Sequence, residues 1–169
     1  VTLSASLNVS ARAQQQNTVD VGSASARRAI ELALSLSDGT AAGQVDRVFA
    51  DTRTLAASGT EDLDLAGALV DAFGVAQVFA RVKAVLVKAD PGNANDVLVG
   101  RPAANGAALF SAAGDQVRVR PGGVFALACG ADDATGYAIT GGTGDLVSVT
   151  NGGAGSGVTY SIIILGTSA

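Results

Sequence analysis

Apolar and polar residues alternate along most of this chain, and the alternation predicts strands. In "AIELALSLSDG", Ile30, Leu32, Leu34 and Leu36 fall on one face, with Glu31, Ser35 and Ser37 opposite. Ala, Leu and Glu are helix formers, but period two bounded by the Asp38-Gly39 turn favours a strand. "QVDRVFADTRTLAA" continues as extended chain, and "TEDLDLAG" sets Leu63 and Leu65 on one face. "GALVDAFG" is too short to assign and reads as a helical turn or a loop. "QVFARVKAVLVKA" begins by alternating and becomes apolar on both faces at Val85–Val87, the pattern of a central strand covered from both sides. "DPGNAND" is a turn cluster and "DVLVG" a short strand. "RVRPGGVFALACG" reads as two strands around Pro121-Gly122-Gly123, with Val117 and Val119 facing in and Arg118 and Arg120 facing out. "GYAITGGTGDLVSVTNGG" adds a tight turn at "GGTG". In the last strand Val158, Tyr160, Ile162 and Ile164 share one face. The other face carries Thr159 and Ser161, then turns apolar at Ile163 and Leu165. That second face is therefore wet at one end and covered at the other, by the N-terminal arm or by another subunit.

Roughly eight to ten short strands separated by turn signals predict an all-β fold, an antiparallel β-sandwich of jelly-roll type. Residues 1–28 differ from the rest. "SLNVSARAQQQNTVDVGSASARR" is polar and small, with weak alternation at Leu3, Leu7, Val9, Val19 and Val21. It has too little apolar bulk for a core of its own. It reads as an extended N-terminal arm or edge strand (1–28) ahead of a sandwich domain (29–169); a solvated tail is the alternative.

Composition narrows the chemistry. At 169 residues one domain can bury enough surface to fold without a metal or disulfide. The single cysteine, Cys129, lies in an apolar run and reads as a small buried hydrophobe. The chain has no histidine, which removes a Ser-His-Asp or Cys-His arrangement and Cys/His zinc sites. The net charge is −4, and no basic cluster exceeds Arg27-Arg28 or Arg118/Arg120, so no nucleic-acid role is expected. No apolar run approaches a membrane-spanning length, and "VTLSASLNVSARAQQQ" lacks a secretory profile, so neither membrane nor secretion is expected.

Candidate sites each have a bland reading beside them. Asp90, Asn93, Asn95 and Asp96 offer hard oxygen ligands within one turn, a weak calcium candidate, but the spacing is not that of an EF-hand and these residues suit any turn. Glu61, Asp62 and Asp64 could supply paired carboxylates, but a solvated strand explains them, and aromatics to line a sugar cleft are few. Most of those aromatics lie in apolar runs and are expected in the core. The glycine-rich "TGGTGD" and "NGGAGSG" have no following helix to aim amides at a phosphate. Arg118 and Arg120 are either exposed sheet charge or a contact to an acidic protein. No catalytic residue, cofactor or enzymatic activity is expected.

The segments "EDLDLAGALVDAFG", "FARVKAVLV", "GDQVRVRPGGVFAL", "GYAITGGTGDLVSVTN" and "VTYSIIILG" resemble small β-rich virion proteins of tailed bacteriophages, including capsid decoration (cement) proteins. The similarity covers about residues 45–166. The resemblance implies a sandwich or jelly roll, a homotrimer on the capsid lattice, the major capsid protein as partner, and location on the virion surface after synthesis in the bacterial cytoplasm. The implied function is to bind the outside of the capsid and stabilise it. A head-fibre base or tail accessory protein, or a receptor- or glycan-binding module, are the alternatives. Interface candidates are Leu3, Leu7, Val9, Arg27, Arg28, Arg118, Arg120, Ile163 and Leu165.

Overall fold

The structure is a computed structural model that describes residues 2–67 and 69–169. Among these there are twelve strands and no helix: β1 (Ala5–Val19), β2 (Gly22–Asp38), β3 (Gln44–Val45), β4 (Arg47–Leu55), β5 (Thr60–Asp64), β6 (Arg81–Ala89), β7 (Val97–Gly100), β8 (Gln116–Val119), β9 (Val124–Ala128), β10 (Tyr137–Ala138), β11 (Leu146–Asn151) and β12 (Val158–Thr167). They form three sheets. One runs β1-β2-β3. The second runs β4-β12-β6, with β9 and β10 sharing the far edge of β6. The third runs β5-β11-β7-β8. Every named pair is antiparallel except the short β2–β3 contact.

The alternation read from sequence places the core. Val158, Tyr160, Ile162 and Ile164 of β12 all face inward and are buried. They meet Val85 and Val87 of β6 and Phe49 of β4 from their own sheet. Leu63, Val97, Val99 and Val147 come to the same cluster from the third sheet. Burying each such side chain contributes about 1.5–3 kcal/mol. On the outward edge of the β4–β12 pair, Thr52 bonds Ser161 and Thr54 bonds Thr159, so the wet face has cross-strand hydroxyl pairs.

The inward face of β6 is buried at Val85, Val87 and Ala89, while its outer face is buried at Ala84, half-buried at Leu86 and open at Lys88, so the double cover read from the sequence is complete only at the Ala84 end, where there is one addition. The β12–β6 register passes from Leu165↔Ala84 to Gly166↔Val82 and skips Lys83. Lys83 is buried there and donates from Nζ to the Asp133 carbonyl at 2.5 Å. Gly166 allows this bulge, because a Cβ at that position would collide with the Arg81 carbonyl and the Phe79 ring.

The N-terminal region is a single long hairpin. β1 and β2 pair without a break from Ala5↔Leu36 to Val19↔Gly22. The strand expected over 29–39 thus begins at Gly22, and position 28/29 lies inside it. The turn is Asp20-Val21, and Gly22 supplies a φ of 98° that few other residues adopt. At the hairpin base, Leu34 and Leu36 pack with Val45, Ala84 and Leu165 in a second apolar cluster, outside the main core. The arm therefore covers the Leu165 end of the β12 outer face.

Two strands flank Pro121-Gly122-Gly123 as read, but they do not pair with each other: β8 before it belongs to the third sheet and β9 after it to the second. The turn is where the chain crosses between sheets, since Pro121 ends one ladder and cannot donate to the next. Val119 faces in as expected, whereas Val117 is exposed near the free edge of its sheet. Phe73, outside the apolar runs that supply the core aromatics, is 79% exposed. It sits in the segment left between helical turn and loop, which is a loop; Ala68 within it lies outside the described residues.

Leu36→Ala should cost about 2–4 kcal/mol of local stability. Hydrogen exchange should show the amides of residues 5–8 and 33–37 exchanging faster while β12 keeps its protection. Equal loss in β12 would show that the arm base and the main core open as one unit.

Candidate functional site

The most exposed element is the hairpin. At about 3.4 Å per residue its strands are roughly 50 Å long. Direct pairs place Leu7 with Leu34, Val9 with Leu32 and Ala11 with Ile30 on one face. The opposite face carries Ser6 with Ser35, Ser10 with Glu31 and Arg12 with Ala29. Beyond the base both faces are exposed, with Ile30 at 80% and Val21, at the tip, at 93%. Between the apolar face and Ala126–Ala128 of β9 lies an open cleft of about 350 Å³. Arg12 pairs with Glu31 at 2.5 Å, an exposed contact that adds little stability. Arg27 and Arg28 have no carboxylate within ion-pair distance among the described residues; Arg28 donates to the Arg27 carbonyl.

The second exposed feature is the loop around Phe73. A bridge between Val70 and Ala76 closes it. Asp71 holds its interior: Oδ1 accepts from the amides of Phe73 at 2.8 Å and Val75 at 2.9 Å, and Oδ2 accepts from Gln77 Nε2 at 3.0 Å. Gln77 in turn accepts from the Val48 amide through Oε1. The loop is thus tied to β4, while Phe73, Val70, Val75 and Val78 all point to solvent. A fixed aromatic knuckle is the kind of feature that anchors a protein contact, because little ordering is left to be lost on binding. Between this knuckle and the arm base runs a groove of about 670 Å³, whose charged lining is Asp38, Asp46, Asp71 and Arg47.

The interface residues picked from sequence separate into groups. Leu3 and Leu7 are half-buried at the arm base, and Leu165 is buried beneath it. Val9, Arg27 and Arg28 are exposed on the ribbon. Ile163 is exposed on the outer face of the second sheet. Arg118 pairs with Asp96 at 2.6 Å, and Arg120 is exposed in the sheet-crossing turn. Phe73 escaped sequence reading, although Asp71 and Gly74 around it were the available turn signal.

The calcium candidates do not converge on one point. Asp90 accepts from the Gly92 amide, and Asn93 clasps both the amide and the carbonyl of Thr159. Asn95 donates to Asn151 and to the Ser156 carbonyl, and Asp96 holds Arg118. Asn93, Asn95 and Asp96 fasten the loop to neighbouring strands, and Asp90 closes its turn. Among the described residues no group of three or more His, Cys, Asp or Glu is placed to hold a metal.

Two clusters of titratable groups have structural roles. Glu61 points inward rather than joining Asp62 and Asp64: its Oε1 accepts from the buried Tyr160 hydroxyl at 2.6 Å and its Oε2 from Arg53 at 2.7 Å. Arg53 also reaches Asp51 and lies over the Phe49 ring. This network joins β4 and β12 of one sheet to β5 of the other. Burial, and then the bond to Glu61, raise the Tyr160 phenol well above its usual range. The second cluster is at the β6 bulge. Hydrogen bonds from Thr135 and Gly136 bring the Asp133 carboxyl down to about 2. Burial pushes the neighbouring Cys129 thiol up despite the Lys83 charge, which disfavours the nucleophilic thiolate. Both exposed surfaces carry apolar side chains on hydrogen-bonded frames, and the ribbon adds the unpaired Arg27 and Arg28.

Glu61→Ala should cost about 1–3 kcal/mol in chemical denaturation, by leaving the Tyr160 hydroxyl and Arg53 short of an acceptor. A raised phenol pKa contributes stability that is intact below the unfolded value of 10.0 and is lost as pH rises towards the folded value. Stability should therefore fall above about pH 10, and less steeply in Tyr160→Phe; identical alkaline limbs would count against this role for Tyr160. No family model matches the chain, and the searches of curated proteins and of solved structures found no match either.

Proposed function

We propose that this chain is a structural virion protein that binds the outside of a phage capsid and stabilises it, as a decoration protein acting through contact surfaces. The observation that carries this reading is the ribbon: an unbroken hairpin, anchored only at its base, that exposes apolar and cationic side chains along its length. A two-stranded ribbon is marginal in water on its own and gains stability by lying against something else. The body exposes a second apolar surface at the Phe73 knuckle, open to a neighbouring copy as well as to the shell. Contacts to several capsid subunits, each modest, add up to large avidity and raise the free energy needed to rupture the shell. A homotrimer would match threefold lattice positions and engage three subunits equivalently. The partner in this reading is the major capsid protein, and the place is the capsid surface.

We infer further that the body is a jelly-roll sandwich. The orders β4-β12-β6-β9 and β5-β11-β7-β8 support this, because the chain crosses between the two sheets at every step except β7 to β8 and β9 to β10, the wiring of two interlocked Greek keys. Jelly rolls serve both capsid and lectin domains, so the fold argument by itself does not choose a function. The ribbon favours the structural reading.

The test is a shortened arm. Ala11 and Ile30 are direct partners, so replacing residues 12–29 with Asn-Gly should close a tight hairpin and leave the base intact. The shortened chain should keep the unfolding transition of the body yet attach to undecorated heads at least tenfold more weakly, an effect of roughly 1.4 kcal/mol. Attachment at full strength would remove the ribbon from the capsid contact. Binding of the full chain to a glycan array but not to heads would favour the receptor-binding alternative.

A further inference from the structure

We propose that the distal half of the ribbon docks in the groove beside Phe73 on a second copy of this chain, each copy giving its ribbon to the next in a closed ring. This rests on the self-associating reading above and assigns its two surfaces. The ribbon supplies Arg27 and Arg28, one on each of its faces and neither with a carboxylate partner among the described residues, and an apolar tip at Val19 and Val21. The groove supplies the complement. Its lining has three carboxylates against the one guanidinium of Arg47: Asp46 pairs with Arg47, Asp71 is held by the Phe73 and Val75 amides, and Asp38 accepts from the Leu3 amide, so the lining keeps a net negative charge, and its rim has exposed Phe73 and Val75. Basic ribbon against acidic groove, and valine against phenylalanine, match in both charge and polarity.

Geometry excludes the chain's own ribbon as the occupant, and the charge and polarity match selects the ribbon of another copy. Leu3 and Asp38, at the base of the arm, form one wall of the groove. The β1–β2 ladder then runs without a register shift to Val19, so the tip lies some 50 Å of strand away from that wall. A chain cannot seat its own ribbon tip in its own groove without breaking this ladder. The contact is heterologous, ribbon to groove, and such contacts form closed rings when the rotation between copies allows.

Mixed disulfides test the docking. In a Cys129→Ala background, one chain carries Val21→Cys and a second, of distinguishable mass, carries Val75→Cys. Mild oxidation of the mixture should give the mixed disulfide in preference to either homodimer. Light scattering on the unmodified chain should show a discrete oligomer, and Arg27→Glu with Arg28→Glu should weaken self-association by about tenfold or more. These arginines are exposed on the ribbon and leave the core untouched. An oligomer that yields no mixed disulfide and tolerates both charge reversals would overturn the docking and leave the trimeric reading in place. A chain that stays monomeric at every concentration would overturn both. Attachment to undecorated heads, measured separately, decides the capsid reading whichever way the disulfide result falls.

Discussion

The main body depends on the pairing of β12 with β4 on one side and β6 on the other. β12 is the last strand in sequence and a central one in space. Its inward residues, from Val158 to Ile164, form the floor on which the opposite sheet settles. Without it, β4 and β6 have no hydrogen-bonded neighbour in common, and Leu63, Val97 and Val147 lose the β12 side chains of their cluster. Such a sheet is built over long sequence separations, which slows its formation, and its cooperativity comes from one shared cluster rather than from local turns.

Two additions stand on that body. The Glu61–Tyr160–Arg53 network ties the sheets together where a purely apolar edge would let them slide, and it satisfies the one hydroxyl that the core tyrosine brings with it. The base of the arm uses the other side of the same sheet. Leu34 and Leu36 cover Ala84 and Leu165, so one face of β12 and β6 serves the core and the other holds the ribbon. Everything beyond Leu34 is free of the body. The fold thus separates a packed body from a projecting element, and Phe73 lines the same groove as the residues from which the ribbon departs.

Much of this was legible as pattern. The inward faces of β12 and β6 and the strand near Leu34 and Leu36 follow from period-two alternation, because side-chain direction in a strand is a local property. Partner choice is not local. Residues 1–28 are too poor in apolar bulk for a core of their own, and the order of residues 5–19 comes from a ladder with residues 22–36 that leaves most side chains in water. Pro121-Gly122-Gly123 has the composition of a hairpin turn but joins two sheets. Glu61 resembles its acidic neighbours in sequence; only the approach of β12 shows that it, and not Asp62 or Asp64, meets the Tyr160 hydroxyl.

The sequence by itself determined that the chain is built of strands and which side of several of them is apolar. Alternation, turn residues and the shortage of charge act over a few positions and need no knowledge of the rest. The tertiary structure alone decided which strands are neighbours, that the N-terminal region is a projecting ribbon, and that Phe73 faces solvent while Lys83 and Glu61 turn inward. Those outcomes depend on contacts between residues as much as a hundred positions apart, such as Glu61 with Tyr160, and a short stretch of sequence carries no record of what will pack against it.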